Sequence, residues 1–212
     1  MSEKGFTLVE LIVVVGIMGI LGVIFTNTLI QSLRGQSKVK VINEVKQNGQ
    51  VILDRLSSDI RQAEKIVCRG KNTDNKSNSP ENAYDTIVVV RSGTYSRFRL
   101  ITPTSITNGF IERSDFGAEN ITSPNAEVLL CSTPGSIGST YILSNLDSIS
   151  GVSINYDGVN PVFVWESSPG YSDVVTIKFR GFQGVKAGSL FESSVGEEGV
   201  LFATTIQVRG GK

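Results

Sequence analysis

The sequence predicts an α+β fold in which one long amino-terminal α-helix packs on an antiparallel β-sheet domain. Two observations lead to this class. Residues 11–33 contain no charged side chain, and an apolar pattern with helical spacing continues well beyond them. From Thr86 onward the pattern changes to short runs rich in β-branched and aromatic residues, separated by glycine- and serine-rich turns. A long helix followed by a series of strands is typical of α+β domains.

The first part of the predicted helix is long enough to cross a membrane. Residues 11–33 would extend roughly 35 Å as a helix, and a bilayer hydrocarbon core is about 30 Å thick. Between Lys4 and Arg34 the only charged side chain is Glu10. A cleaved signal peptide fits less well, because its apolar core usually spans about 7–15 residues and no small-residue cleavage site follows Phe25. Inserting a carboxylate at the head of such a helix costs on the order of a few kcal/mol, so Glu10 needs a partner or a function.

The segment around Glu10 resembles a known processing motif. Residues 4–10 read Lys-Gly-Phe-Thr-Leu-Val-Glu, and an apolar helix follows them. This arrangement resembles the type IV pilin-like family, which comprises pilins and the pseudopilins of type II secretion. The resemblance implies that residues 1–5 are a leader peptide, that prepilin peptidase cuts between Gly5 and Phe6, and that the enzyme then methylates the new amino group of Phe6. It also implies that Glu10 faces the charged amino terminus of a neighbouring subunit during assembly. The alternative is that Glu10 only marks the cytoplasmic end of an ordinary membrane anchor.

The membrane orientation receives two conflicting indications. Lys4 is the only basic side chain before the apolar helix, whereas Arg34, Lys38, Lys40 and Lys46 follow it. The positive-inside rule would therefore place the carboxyl-terminal part in the cytoplasm. The family resemblance implies the opposite orientation, with the amino terminus in the cytoplasm and residues 68–212 forming an extracytoplasmic β-rich domain. We expect the second arrangement, in a single-pass protein of the cytoplasmic membrane that later enters a pilus or pseudopilus.

The helix is predicted to continue past the membrane segment. Residues 6–33 would lie in lipid or in a filament core, and residues 34–67 would form an amphipathic continuation that packs on the domain. Gly35 and Gly49 are candidate bends. Apolar residues recur at spacings of three and four if Gly49 is included, namely Ile42, Val45, Ile52, Leu56, Ile60, Ala63 and Val67.

The remaining chain is predicted to contain a loop and eight strands. Residues 71–82 are rich in Asn, Ser, Lys and Asp, which indicates an exposed loop. Its acidic residues match no calcium-binding spacing, so no metal or other cofactor is predicted. The first two strands would form a hairpin through Ser92-Gly93. The predicted strands are residues 86–91, 94–101, 127–131, 140–143, 152–156, 162–165, 174–179 and 201–208.

Cys68 and Cys131 are the only cysteines in the chain. An even number of cysteines in an exported protein favours a disulfide, so the two can pair if the domain lies outside the cytoplasm. Closing a loop of this length would stabilise the domain by about 4 kcal/mol in the chain-entropy model. Two buried free thiols are the alternative.

Composition argues against an enzyme. There is no histidine, which excludes a Ser-His-Asp triad, a Cys-His dyad and a histidine-bound metal. The remaining carboxylate pairs, Glu197 with Glu198 and Asp54 with Asp59, have the character of solvated charge. Twenty acidic and twenty basic residues cancel, so no nucleic-acid-binding surface is predicted.

Three further segments resemble the J-type pseudopilins and their minor-pilin relatives. They are residues 53–63, residues 143–156 and the ending Thr204-Thr-Ile-Gln-Val-Arg209. The resemblance implies a structural minor pilin or pseudopilin subunit whose partners are prepilin peptidase, the membrane and other pilin subunits. The alternative hypothesis is a single-span, membrane-anchored extracytoplasmic binding module. Loss of residues 1–5 in the mature protein would distinguish the two.

Overall fold

The structure, a computed structural model, describes residues 7–70, 85–118, 121, 130–132, 135, 137–149, 151–157, 161–187 and 199–209. These residues form a long α-helix and two antiparallel sheets, which confirms the predicted α+β class. The elements in chain order are α1 (Leu8–Arg61), β1 (Lys65–Gly70), β2 (Thr86–Arg91), β3 (Thr94–Ile101), β4 (Phe110–Gly117), β5 (Ser139–Ile142), β6 (Val152–Asn155), β7 (Phe163–Glu166), β8 (Val174–Gln183) and β9 (Val200–Gln207).

The chain divides into two compact units, Met1–Lys40 and Val41–Lys212, and the boundary falls within α1. In the described part of the first unit every side chain is exposed except that of Ser37, which is partly buried. By length and composition α1 is the one helix among the described residues that could cross a membrane. In water such an exposed apolar surface would be unfavourable, so this part of α1 requires lipid or protein around it.

The second unit buries the amphipathic part of α1. Its buried residues, Val45, Gly49, Ile52, Leu53, Leu56 and Ile60, recur at helical spacing on one face. All of them except Gly49 belong to the main hydrophobic core, together with Ile87, Phe98 and Ile111 of the first sheet and Ile177, Phe179 and Phe202 of the second. The predicted packing of the helix on a sheet domain is therefore confirmed, although the domain contains two sheets where a single sheet was predicted.

The helix ends at Arg61, six residues before the predicted boundary at residue 67. The prediction that Val67 belongs to the helix is wrong, because Lys65–Gly70 form strand β1, in which Ile66 and Cys68 are buried. This strand pairs with β2, and the Glu64 amide donates a hydrogen bond to the Val90 carbonyl at 2.8 Å. Tertiary pairing therefore decided the conformation of a segment whose apolar spacing also fits a helix.

The first sheet has the order β1-β2-β3-β4-β5, and the hairpin of β2 and β3 turns at Ser92 and Gly93 as predicted. Both turn residues have positive φ, 49° and 75°. In the second sheet β8 pairs with β9 along one edge, and with β7 and β6 along the other. Strand β4 was not predicted. The predicted strand 127–131 is wrong where it is described, because Leu130 and Cys131 lie in a turn.

The first sheet is covered on both faces. One face contributes Ile87, Phe98 and Ile111 to the core that contains α1. The opposite face packs in a second cluster of buried residues formed by Cys68, Val88, Phe116, Leu130 and Cys131. The segment that carries Cys131 therefore forms an outer layer over this sheet.

Candidate functional site

The helix that follows the predicted cleavage position begins with a polar cap. The Glu10 amide donates a hydrogen bond to Thr7 Oγ1 at 3.3 Å, and the Leu11 amide donates one to the Thr7 carbonyl at 3.3 Å. Thr7 is thus the N-cap of α1, with Glu10 three residues later, as in a capping box. The sequence interpretation overlooked Thr7, although Thr-x-x-Glu before an apolar run is a sequence signal for a helix start.

Glu10 lies in the first turn of α1 and is exposed. A negative charge there is favourable for the helix, because the amino-terminal end of a helix carries a partial positive charge. The carboxylate forms no ion pair with another described residue of the chain. The predicted cleavage pair, Gly5 and Phe6, lies outside the described residues.

Cys68 and Cys131 form a disulfide whose Cα atoms are 6.1 Å apart. Cys68 lies on β1, and its partner is 63 residues further along the chain. Gly70 makes room for this second segment, since a Cβ atom at residue 70 would lie 2.6 Å from the Cys131 carbonyl oxygen. The alternative of two free thiols is therefore not what the structure contains.

A buried arginine holds the same segment against the sheet. Arg97 of β3 is 1% exposed, and its guanidinium donates hydrogen bonds to the carbonyls of Leu130 and Gly135. Carbonyl acceptors in a segment without regular structure need such donors when they are buried. The sequence interpretation missed Arg97, because an arginine in a strand normally indicates the solvent face.

An open cavity of about 480 Å³ lies between α1 and the β4–β5 edge of the first sheet, all within the second unit. Its charged centre is Arg113, which donates to Asp59 Oδ2 on α1 at 2.7 Å and to Asp115 Oδ1 on β4 at 2.9 Å. Ser96 also donates to Asp115, at 2.6 Å, and the guanidinium lies over the Phe98 ring. The cavity is lined by Arg55, Ser58, Asp59, Arg113, Asp115, Tyr141 and Leu143.

The electrostatics of this cluster are uneven. Burial raises the pKa of Asp59 above its ordinary value of 3.8, and the nearby negative charge of Asp115 raises it further, so that the attraction of Arg113 and Arg91 does not compensate. The two carboxylates and their hydrogen bonds raise the pKa of Arg113, despite its partial burial. Arg113 therefore forms ion pairs with both carboxylates, while Arg55 also lines the cavity.

The carboxylate pair on α1 that the sequence analysis considered, Asp54 with Asp59, does not form a shared site. Asp54 accepts a hydrogen bond from Gln50, whereas Asp59 binds Arg113. Glu197 and Glu198 lie outside the described residues, as does the whole of the predicted loop at residues 71–82. Among the residues with described positions, no three histidine, cysteine, aspartate or glutamate side chains are grouped as metal ligands.

Comparison with known proteins identifies the amino-terminal segment. Neither the curated proteins nor the solved structures gave a match. Residues 1–26 match the family described as prokaryotic N-terminal methylation motif. This stretch includes Gly5, Phe6, the N-cap Thr7 and Glu10, together with the beginning of the apolar part of α1. The chain therefore carries a type IV pilin-like prepilin motif, which implies processing by prepilin peptidase and association with the membrane.

Proposed function

We propose that this chain is a structural subunit, a minor pilin or pseudopilin, that assembles into a type IV pilus or a type II secretion pseudopilus. The observation that carries the proposal is the methylation motif at residues 1–26, which leads directly into a helix of membrane-spanning length. Prepilin peptidase would cut between Gly5 and Phe6 and methylate the Phe6 amino group. The proposal includes no enzymatic activity of the chain itself, in keeping with its lack of histidine.

Glu10 supplies the polar contact for assembly in this proposal. A carboxylate in a low-dielectric filament core or bilayer needs a cation, and cleavage after Gly5 creates an ammonium group at Phe6 of each subunit. The Glu10 carboxylate of one subunit would pair with the Phe6 ammonium group of a neighbour. The capped first turn supports this role, because Thr7 fixes the helix start immediately before Glu10.

The disulfide supports an extracytoplasmic domain. Disulfides persist in oxidising compartments and are rare in the cytoplasm. The Cys68–Cys131 bond therefore favours an amino terminus in the cytoplasm and a carboxyl-terminal domain outside, against the orientation indicated by the distribution of basic residues. The mature chain would be a single-pass membrane protein before it enters the filament.

The assignment to minor subunits rests on three segments that resemble J-type pseudopilins and minor pilins. In the structure, residues 53–63 include the end of α1, residues 143–156 include β6, and residues 204–209 include the end of β9. Each contributes to the main core, through Leu56, Ile154 and Ile206 respectively. Their shared location agrees with a common domain architecture.

Amino-terminal peptide sequencing and intact mass of the protein purified from its own membranes or sheared filaments test the proposal. We expect a chain that begins at N-methyl-Phe6. The control is the same protein from cells that lack prepilin peptidase, in which residues 1–5 should remain. A chain that keeps residues 1–5 in the presence of active peptidase would contradict the filament function and favour the membrane-anchored binding module.

A further inference from the structure

Three loops of the second unit meet at one end of the domain. They are residues 102–109, between β3 and β4, residues 143–149, after β5, and residues 184–187, after β8. Asn108 joins all three, because its side-chain amide donates to the Asp147 carbonyl at 2.7 Å and its Oδ1 accepts from the Val185 amide at 2.8 Å. The Lys186 amide also donates to the Ser148 carbonyl, at 2.7 Å. Since Asn108 is only 2% exposed, its bonds are shielded from water and the loops form one fixed surface.

This three-loop surface carries an unusual concentration of exposed apolar side chains. Among the described residues of Val41–Lys212, nine large apolar side chains are exposed, and four of the nine lie in the three loops, namely Ile106, Leu146, Ile149 and Val185. Loops in water are normally rich in polar residues, so the concentration indicates a surface that is covered by an apolar partner. The only charged residues of the loops are Lys186 and Asp147. Asp147 accepts a hydrogen bond from the Ile149 amide at 2.8 Å, which fixes the turn that presents Ile149.

The second sheet places these loops at the end of the domain where α1 enters it. Val45 is the first buried residue of α1. A Cβ atom at Gly181, near the end of β8, would lie 3.0 Å from Val45 Cγ1. Val185 follows Gly181 by only four residues, which corresponds to about 13 Å of extended chain.

The first sheet agrees with this placement. The Glu64 amide, just past the end of α1, donates to the Val90 carbonyl at 2.8 Å. Strand pairing puts Val90 opposite Tyr95, and Tyr95 opposite Phe116, so the carboxyl-terminal end of β4 lies at the far end of α1. Asn108 precedes the other end of β4, about 26 Å away along the strand. It therefore lies on the side where α1 enters the domain.

The length of the chain limits how far this end of the domain lies from the bilayer. Leu33, the last residue of the uncharged segment, precedes Val41 by eight residues. Eight residues extend about 12 Å as a helix and at most about 28 Å when fully extended. In the anchored chain, the bilayer that α1 crosses is therefore an apolar phase close to the three-loop surface before any other subunit has bound.

We propose that the three-loop surface binds the bilayer that α1 crosses, with its four exposed aliphatic side chains inserted among the lipid headgroups. This contact holds the domain on the membrane surface before assembly. Such insertion reaches about 5–10 Å into the headgroup and acyl boundary, and its strength increases with the apolar area buried. Lys186, beside Val185, lies at the level of the lipid phosphates, which attract basic side chains. The inference concerns the membrane-anchored chain and goes beyond the proposed filament function.

The test uses the full chain at one copy per lipid nanodisc of phosphatidylethanolamine and phosphatidylglycerol, so that no neighbouring subunit is present. Ile149→Cys carries the fluorophore NBD while the native disulfide stays intact, and lipids with a nitroxide headgroup quench it. The matched control is the same label on Tyr171→Cys, because Tyr171 is 77% exposed and lies at the opposite end of β8. We expect at least about threefold stronger quenching at residue 149 than at residue 171. Equal quenching at the two positions would overturn the proposal.

Variants without a label in the altered loops separate insertion from mere proximity. With NBD on Ile106→Cys, the double variant Ile149→Ser/Val185→Ser should lower the quenching at least about threefold, because little apolar area remains to insert. The control Tyr171→Ser should stay within about twofold of the parent. Unchanged quenching in the double variant would contradict insertion. An intact native disulfide and unchanged protease resistance confirm that the variant is folded.

The same labels in sheared filaments distinguish the bilayer from a protein partner. A label at residue 149 that enters an apolar environment in filaments, but is not quenched in nanodiscs, would assign the loops to a subunit contact and overturn the proposal. Failure of the proposed function is a separate result. Quenching at residue 149 in a chain that keeps residues 1–5 would uphold the bilayer contact even if that chain never enters a filament.

Discussion

Gly49 is a residue at which helix α1 packs closely on strand β9. A Cβ atom at this position would overlap the ring of Phe202, which also stacks on Phe179 at a centroid distance of 5.2 Å. The sequence analysis identified Gly49 as a candidate bend in the helix, but α1 continues through residue 49. Its role is therefore close packing, which explains why a residue with poor helix propensity occupies the middle of a helix.

Gly49→Ala is expected to destabilise the folded domain by up to about 2 kcal/mol. Overpacking typically costs about 1–3 kcal/mol, and the better helix propensity of alanine offsets about 1 kcal/mol of this. Gly35→Ala is the matched control, because residue 35 lies in the same helix with open space around it, and the better helix propensity of alanine should leave the stability unchanged or raise it by up to about 1 kcal/mol. Denaturant unfolding of the full chain in detergent measures both. Equal stability of the two variants would refute close packing at Gly49.

Glu10→Ala is expected to abolish incorporation into filaments while membrane insertion continues. Removing the carboxylate leaves the ammonium group of a neighbouring subunit without its partner in a low-dielectric environment. Membrane fractionation and the amount of protein in sheared filaments measure the two properties separately. Thr7→Ala is a useful comparison, since it weakens the helix cap by about 1 kcal/mol and retains the charge. Normal incorporation of Glu10→Ala would remove Glu10 from the assembly mechanism.

Asp59 is expected to make the stability of the domain depend on pH. Its pKa is raised in the folded state, so the folded state holds this proton more tightly than the unfolded state does. The protonated Asp59 therefore stabilises the folded state relative to the unfolded state. This contribution to the free energy of unfolding is fully present below the ordinary pKa of 3.8 and is lost as pH rises through the higher pKa of the folded state. The difference in unfolding free energy between the parent and Asp59→Asn should fall as pH increases from about 3 to about 6. A difference that rises over this range would show that the Arg113 pair dominates.

At the level of elements, the disulfide connects β1 to the outer segment that covers the first sheet. Arg97 holds that segment independently by hydrogen bonds to Leu130 and Gly135. The covalent bond and the buried arginine therefore restrict the same segment in different ways: the first limits the unfolded chain, and the second acts only in the folded state.

The double variant Cys68→Ser/Cys131→Ser is expected to lower the free energy of unfolding by about 4 kcal/mol, because the disulfide closes a long loop in the unfolded chain. Thermal unfolding with and without a reducing agent measures the effect. Reduction should destabilise the parent and leave the double variant unchanged. A parent protein that is insensitive to complete reduction would contradict a stabilising role of the bond.

The elements that were predicted have local sequence signals, and the others depend on distant partners. The β2–β3 hairpin was predictable because Ser92-Gly93 forms a turn between two runs rich in β-branched and aromatic residues. Strand β4 was missed because it carries Glu112, Arg113 and Asp115, and its charges are compensated partly from other elements, by Arg99 on β3 and Asp59 on α1. Arg113 binds Asp59 across 54 residues, and no local pattern indicates such a pair. The prepilin motif was predictable because it is a continuous stretch read by an enzyme.

At the level of the whole molecule, all residues of the main core belong to the unit Val41–Lys212. We therefore expect a chain truncated to begin at Val41 to fold alone, retain its disulfide and stay in aqueous solution. A truncation that begins at Arg55 should unfold, because it lacks Val45, Ile52 and Leu53, and each large-to-small loss in a core costs about 2–5 kcal/mol. Circular dichroism and protease resistance distinguish the two. An unfolded product from the first truncation would show that residues before Val41 contribute to stability.

The contact between Gly49 and Phe202 also sets the order of events during biosynthesis. The two residues are separated by about 150 positions, and the core face of α1 has no complete partner until β9 has been made. At about 5–20 residues per second, that helix face waits roughly 8–30 s after its own synthesis. During this interval the core face that carries Ile52, Leu56 and Ile60 is incompletely covered beside an apolar membrane segment. A chaperone that binds apolar helices would have its longest opportunity to act on this chain during that interval.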